Sequence, residues 1–103
     1  MKNEANRENE NQLENKGEID EPALYQVVLH KDDFTPIEFF IGMLEKFFYM
    51  DRRMAAEKTM EAHARGRAVC GVFSKDFAES KVAQVLEHAG LHHHPLNCSM
   101  EVA

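Results

Sequence analysis

The sequence predicts a small two-layer α+β domain in the order β-α-α-β-α-β, a three-stranded sheet packed against three helices behind an acidic arm. Three observations predict it. Apolar side chains are scarce before Pro22 and dense after it. Beyond that point, β-branched and aromatic runs of strand length alternate with runs whose apolar residues recur at helical spacing. Thr, Asp, Pro and Gly stand at the joins, where helices start and stop. One sheet covered by helices is the economical way to bury the apolar faces of such a set.

The arm comes first. Met1, Ala5, Leu13 and Ile19 are the only apolar side chains in the first 21 residues, which carry a net charge of −4 out of the chain's −6. Such a segment cannot bury enough apolar surface to offset the entropy of ordering it. Residues 1–22 are therefore expected to be a disordered N-terminal arm, and residues 23–103 the folded domain.

"ALYQVVLH" (23–30) reads as a strand. The first helix is announced by "FTPIE": Thr35 as N-cap, Pro36 at the first helical position, and Glu38 completing a capping box. Phe34 and Phe39 are placed for a hydrophobic staple. Ile37, Phe40, Ile41, Leu44, Phe47 and Phe48 then form one apolar face.

A second helix runs from the cap Asp51 to Gly66, with Ala56, Thr59, Met60 and His63 on one side and Ala55 and Ala62 beside them. "RAVCGVF" (67–73) is a strand in which Gly71 marks a bulge or a close backbone approach. The third helix is expected to open on a capping box from Asp76 to Glu79. Its buried face is Ala78, Val82, Val85, Leu86 and Ala89, and Gly90 ends it. "LNCSMEV" (96–102) alternates Leu96, Cys98, Met100 and Val102 as a half-buried strand.

Composition excludes several functions. The net acidity and the lack of a basic stripe with interleaved aromatics argue against nucleic-acid binding. No run approaches the roughly 18 apolar residues that span a bilayer, and no signal-peptide pattern opens the chain, so a cytoplasmic protein is expected. Cys70 and Cys98 fit buried thiols in a reducing compartment. They lie inside strands rather than in a strand-turn-helix elbow, which speaks against an enzyme. His88, His92, His93 and His94 precede Pro95 as a solvated connection, because Gly90 interrupts the spacing a metal would need. No metal or other cofactor is expected.

One feature remains. Asp32 and Asp33 stand side by side before a helix start, where the macrodipole favours negative charge. His63 lies near the end of the second helix, on its less polar side. From pattern alone the chain is a small α/β binding module with an acidic spot.

"DDFTPIEF", then "KFF", the single His63, "CGVF", "AESKVAQV" and "HPLNCSME", in that order, resemble ClpS, the adaptor family of the Clp AAA+ protease. The resemblance runs from about Tyr25 to the C-terminus. It implies an N-degron adaptor that binds proteins beginning with Phe, Tyr, Trp or Leu and delivers them to a Clp unfoldase without catalysis. By this resemblance Asp32 and His63 accept the substrate's α-amino group, and Lys31 occupies the position of a family Asn. Thr35, Ile37, Thr59, Ala62 and Leu96 match the pocket for the first side chain. Asp76, Glu79 and Lys81 match the surface that docks on the unfoldase's N-terminal domain. The arm matches the family's delivery segment. The free adaptor is expected to be a monomer.

The departures are as informative. Lys31 has no acceptor and repels an ammonium where an Asn would bind it. Ile37, Thr59 and Ala62 stand where Met, Met and Val are frequent in the family. The alternatives are an unfoldase-docking regulator whose N-degron binding is weakened or shifted by Lys31, and a metal-binding module built on the histidine cluster.

Overall fold

A computed structural model describes residues 22–103; the arm expected over residues 1–22 lies, apart from Pro22, outside the described residues. The elements follow the expected order: β1 (Tyr25–His30), α1 (Ile37–Phe48), α2 (Arg52–Arg65), β2 (Arg67–Phe73), α3 (Lys75–Leu91) and β3 (Cys98–Val102). The sheet is β2-β1-β3, and both pairings are antiparallel.

β1 is central because its residues suit burial. Val27, Val28 and Leu29 are all buried, and the alternating pair Val27 and Leu29 joins Phe40, Ile41, Met43, Leu44, Val85 and Leu96 in the core. The irregularity expected at Gly71 is a bulge at its neighbour Cys70. Val27 pairs with Gly71 and Val28 with Val69, which leaves Cys70 as the bulged residue. A Cβ at Gly71 would also lie 2.5 Å from the Phe73 ring, so only glycine fits without moving that ring.

The helix termini depart from expectation in instructive ways. α1 begins at Ile37 with Pro36 in extended conformation as its N-cap, and no side chain caps it. The Thr35 hydroxyl donates instead to the Asp32 carboxylate, a charged acceptor that outcompetes a backbone role. The capping box therefore does not form, and Glu38 accepts from the Arg52 guanidinium at 2.7 and 2.9 Å. The staple is absent too. Phe34 is 83% exposed, and Phe39 packs against the rings of His88, His92 and His94.

α2 starts and stops as expected. Asp51 accepts from the Met54 amide at 2.8 Å, and Gly66 adopts φ 88° at the C-terminus. Its buried seam is Ala55, Thr59 and Ala62, while Met60 is exposed. Small side chains let the helix lie close to its neighbours, and the Thr59 hydroxyl is satisfied by the Ala55 carbonyl at 2.8 Å.

α3 begins two residues earlier than the Asp76–Glu79 box would place it. Ser74 is the N-cap, accepting from the Phe77 amide. Gly90 remains helical, and the chain leaves the helix through His92 and through His93 at φ 60°. β3 is shorter than expected, with Leu96 buried ahead of it and Val102 exposed.

The main correction concerns the face of α3. Leu86, expected in the core, is 40% exposed, while Lys81 is buried at 6%. Its ammonium donates to the Phe47 carbonyl at 2.6 Å, at the C-terminus of α1 where a cation complements the helix dipole. Tyr49 and Phe77 lie 4.9 and 5.2 Å from that ammonium, and Phe48 lies 5.9 Å away. An orphan helix carbonyl and aromatic faces thus replace the water that a lysine normally keeps. The sequence reading gave Lys81 no structural duty; it is a clamp between α1 and α3.

Lys81→Glu should therefore destabilise the domain by about 2–4 kcal/mol in denaturant unfolding, and Lys81→Met by about 1–2 kcal/mol. An unchanged midpoint for Lys81→Glu would show that the clamp contributes nothing.

Both thiols lie in the sheet, and burial pushes Cys70 and Cys98 up to about 12, leaving them protonated and poorly nucleophilic near neutrality. A raised folded-state pKa stabilises the fold below the unfolded thiol's value of 9.0 and loses that stabilisation as pH rises towards 12. The loss should be on the order of 1 kcal/mol per thiol by pH 10. Unfolding measured across pH 8.5–10.5 should give a shallower decline for Cys98→Ala than for the wild type; equal slopes would refute it.

Candidate functional site

The residues singled out by sequence lie on three separate segments, and the end of β1 brings those segments together. The His30 amide donates to the Asn97 carbonyl at 3.0 Å, which fixes the segment carrying Leu96. The next amide, of Lys31, donates to the Gly66 carbonyl at 2.9 Å, which fixes the end of α2 just beyond His63. The loop that carries Asp32, Asp33 and Thr35 starts from this double anchor and runs into α1.

Each polar side chain here has a defined partner. The Thr35 hydroxyl, almost fully buried, donates to Oδ2 of Asp32 and so orients the carboxylate. The Lys31 ammonium lies 3.7 Å from Oδ1 of Asp33, so it pairs with the second acid and not the first. Nδ1 of His63 lies 3.0 Å from the Thr59 carbonyl. A carbonyl can only accept, so in the neutral ring Nδ1 carries the proton and Nε2 presents a lone pair. The edge-on contact of His63 with the buried Phe40 ring, centroids 5.5 Å apart, fixes the plane of the imidazole. Asp32 and His63 thus offer two oriented acceptors, the chemistry that receives an ammonium group.

The positions matched to an apolar pocket divide by exposure. Thr59 and Ala62 expose no surface, Thr35 and Leu96 almost none, and Ile37 is 45% exposed at the start of α1. Four of the five matched positions are thus covered, and only Ile37 is open to solvent. A shallow concavity lined by Phe47, Gln84, Glu87, His88 and Leu91 lies elsewhere, between α1 and α3, and holds none of these residues.

The remaining candidates separate clearly. Asp76 and Glu79 are exposed near the start of α3, whereas Lys81, grouped with them by sequence, is turned into the core. His88, His92 and His94 have ring centroids 5.2, 5.4 and 4.4 Å from that of Phe39. Burial, Lys46 and His92 hold the His88 pKa below its ordinary value. Among the described residues, no group of three or more His, Cys, Asp or Glu side chains is placed to hold a metal ion. Sequence reasoning missed the supporting roles of the Thr35 hydroxyl and of the Thr59, Gly66 and Asn97 carbonyls. Only the first had a local signal, a hydroxyl three residues after an Asp.

Comparison with known proteins agrees with this geometry. Residues 20–99 match the family model for the ATP-dependent Clp protease adaptor protein ClpS. The ATP-dependent Clp protease adapter protein ClpS of Xanthomonas oryzae is 48% identical over 88 residues, 85% of this chain and 83% of the relative. That of Alkalilimnicola ehrlichii is 44% identical over 86 residues, 84% and 81% of the two chains. Among solved structures, Agrobacterium tumefaciens ClpS2 bound to L-phenylalaninamide superimposes with a TM-score of 0.79 at 34% identity, covering 81% of this chain and 100% of that one. With its sheet order, its anchored acidic loop and its oriented histidine, this chain belongs to the ClpS family of Clp protease adaptors.

Proposed function

We propose that this adaptor binds proteins through a free N-terminal amine and a large apolar first side chain, and passes them to a Clp unfoldase for degradation. The observation that carries the proposal is the ligand of the similar Agrobacterium protein, L-phenylalaninamide, which joins a free α-amine to a benzyl side chain and an uncharged amide. A ligand of that form suits the acceptors described above. The amine would donate charge-assisted hydrogen bonds to Asp32 and to Nε2 of His63, and the first side chain would be buried against Thr35, Ile37, Thr59, Ala62 and Leu96.

On this reading Phe, Tyr, Trp and Leu are the first residues recognised, and the adaptor works by binding alone, in the cytoplasm. The surface offered to the unfoldase's N-terminal domain is the exposed pair Asp76 and Glu79, with Lys81 supporting it from within by clamping α3 to α1. The acidic arm serves delivery. The alternative of an unfoldase-docking regulator with weakened or shifted N-degron binding is less favoured, since the Lys31 ammonium has a partner in Asp33 other than the amine acceptor Asp32.

Titration with a Phe-led peptide and its N-acetylated twin tests the proposal. The free-amine peptide should bind, the acetylated one should not, and Asp32→Ala or His63→Ala should each weaken binding roughly tenfold or more. Equal affinity for the two peptides would overturn it.

The docking surface has its own test. Replacing Asp76 and Glu79 together by Lys should weaken binding to the isolated N-terminal domain of the unfoldase by at least about fivefold, since reversed charges on a docking surface oppose association. Undiminished binding would remove them from the interface.

A further inference from the structure

The loop after β1 carries three consecutive charged side chains, and the structure sorts them into two pairs. Lys31 reaches over its neighbour to Asp33, Nζ to Oδ1 3.7 Å, while Asp32 is held by Thr35. The sorting has a consequence for binding. The Lys31 backbone is fixed to Gly66 by its amide, so its ammonium cannot leave the neighbourhood of the site. Its side chain is 45% exposed and can swing. An ammonium has only donors. Left without Asp33, it would find Asp32 as the remaining carboxylate of the loop, and would compete there with the incoming α-amine at the high effective concentration of an attached group.

We propose that Asp33 is a positioning residue of the amine site: its carboxylate engages the Lys31 ammonium and keeps Asp32 open to the substrate. The inference rests on the N-degron reading above and explains how this chain carries a lysine beside its amine acceptors. Asp33 touches no part of the ligand in this scheme and acts only through Lys31. The pair is exposed, with Asp33 at 76%, so its effect is modest and sensitive to salt.

The test is a double-mutant cycle read as affinity for a Phe-led peptide, with thermal unfolding of each variant alongside. Asp33→Asn should weaken binding roughly three- to tenfold at low salt, as expected for one uncompensated charge near the ligand's amine. In a Lys31→Asn background the same change should alter affinity by less than about twofold, because no cation is left to divert. Equal losses in both backgrounds would mean that Asp33 attracts the ligand directly or supports the loop, and would overturn the inference. So would no loss in either background. Failure of the underlying reading shows separately, as wild-type protein that binds the N-acetylated twin as well as the free peptide.

Discussion

Two consecutive backbone amides at the end of β1 hold the site together. His30 donates to Asn97 and Lys31 to Gly66, one to each flanking strand's approach, at the point where the central strand gives way to the acidic loop. A strand at the centre of a sheet has neighbours on both sides, and its last residues can still pair with chain that is about to enter those neighbours. This geometry places the residue before β3, the residue after α2 and the first residue of the loop in one cluster. The antiparallel order β2-β1-β3 is what makes it possible. With β1 at an edge, one of the two anchors would have no partner.

Orientation within the site is set by a different and more local means. Asp32 is fixed by a hydroxyl three residues on, and His63 by a carbonyl four residues back in its own helix. Sheet topology therefore brings the segments together, while short-range hydrogen bonds aim the side chains. The two levels can change independently. A substitution at Thr35 would disturb the aim of Asp32 without moving α2, whereas a disturbance at Gly66 would move the His63-bearing helix as a unit.

Much of this was legible in the residues, and the misses share a cause. Asp51 and Gly66 announce the ends of α2 in the sequence because a cap acts over a few positions and competes with nothing else nearby. Thr35 satisfied the same rule on paper, but a carboxylate stood within reach, and a charged acceptor is a stronger partner than a backbone amide. The burial of Lys81 is invisible to local pattern because its acceptor, the Phe47 carbonyl, is 34 residues away in the chain. Periodicity placed Leu86 inside for the same reason: a helix face is defined by what packs against it, and a lysine with a helix terminus and aromatic rings to meet can claim the buried position. The candidate acceptors Asp32 and His63 follow from motif order, not from any rule of folding.

Lys31 and Lys81 end in opposite roles for one physical reason. A lysine needs acceptors for its donors, and its position follows from where those acceptors are. Lys81 finds a helix carbonyl that nothing else satisfies, so it is drawn into the core and ties α1 to α3. Lys31 finds two carboxylates, one already bonded to Thr35, and takes the other. The hydroxyl of Thr35 therefore acts twice: it orients Asp32, and by occupying one of its oxygens it makes Asp33 the better partner for the lysine.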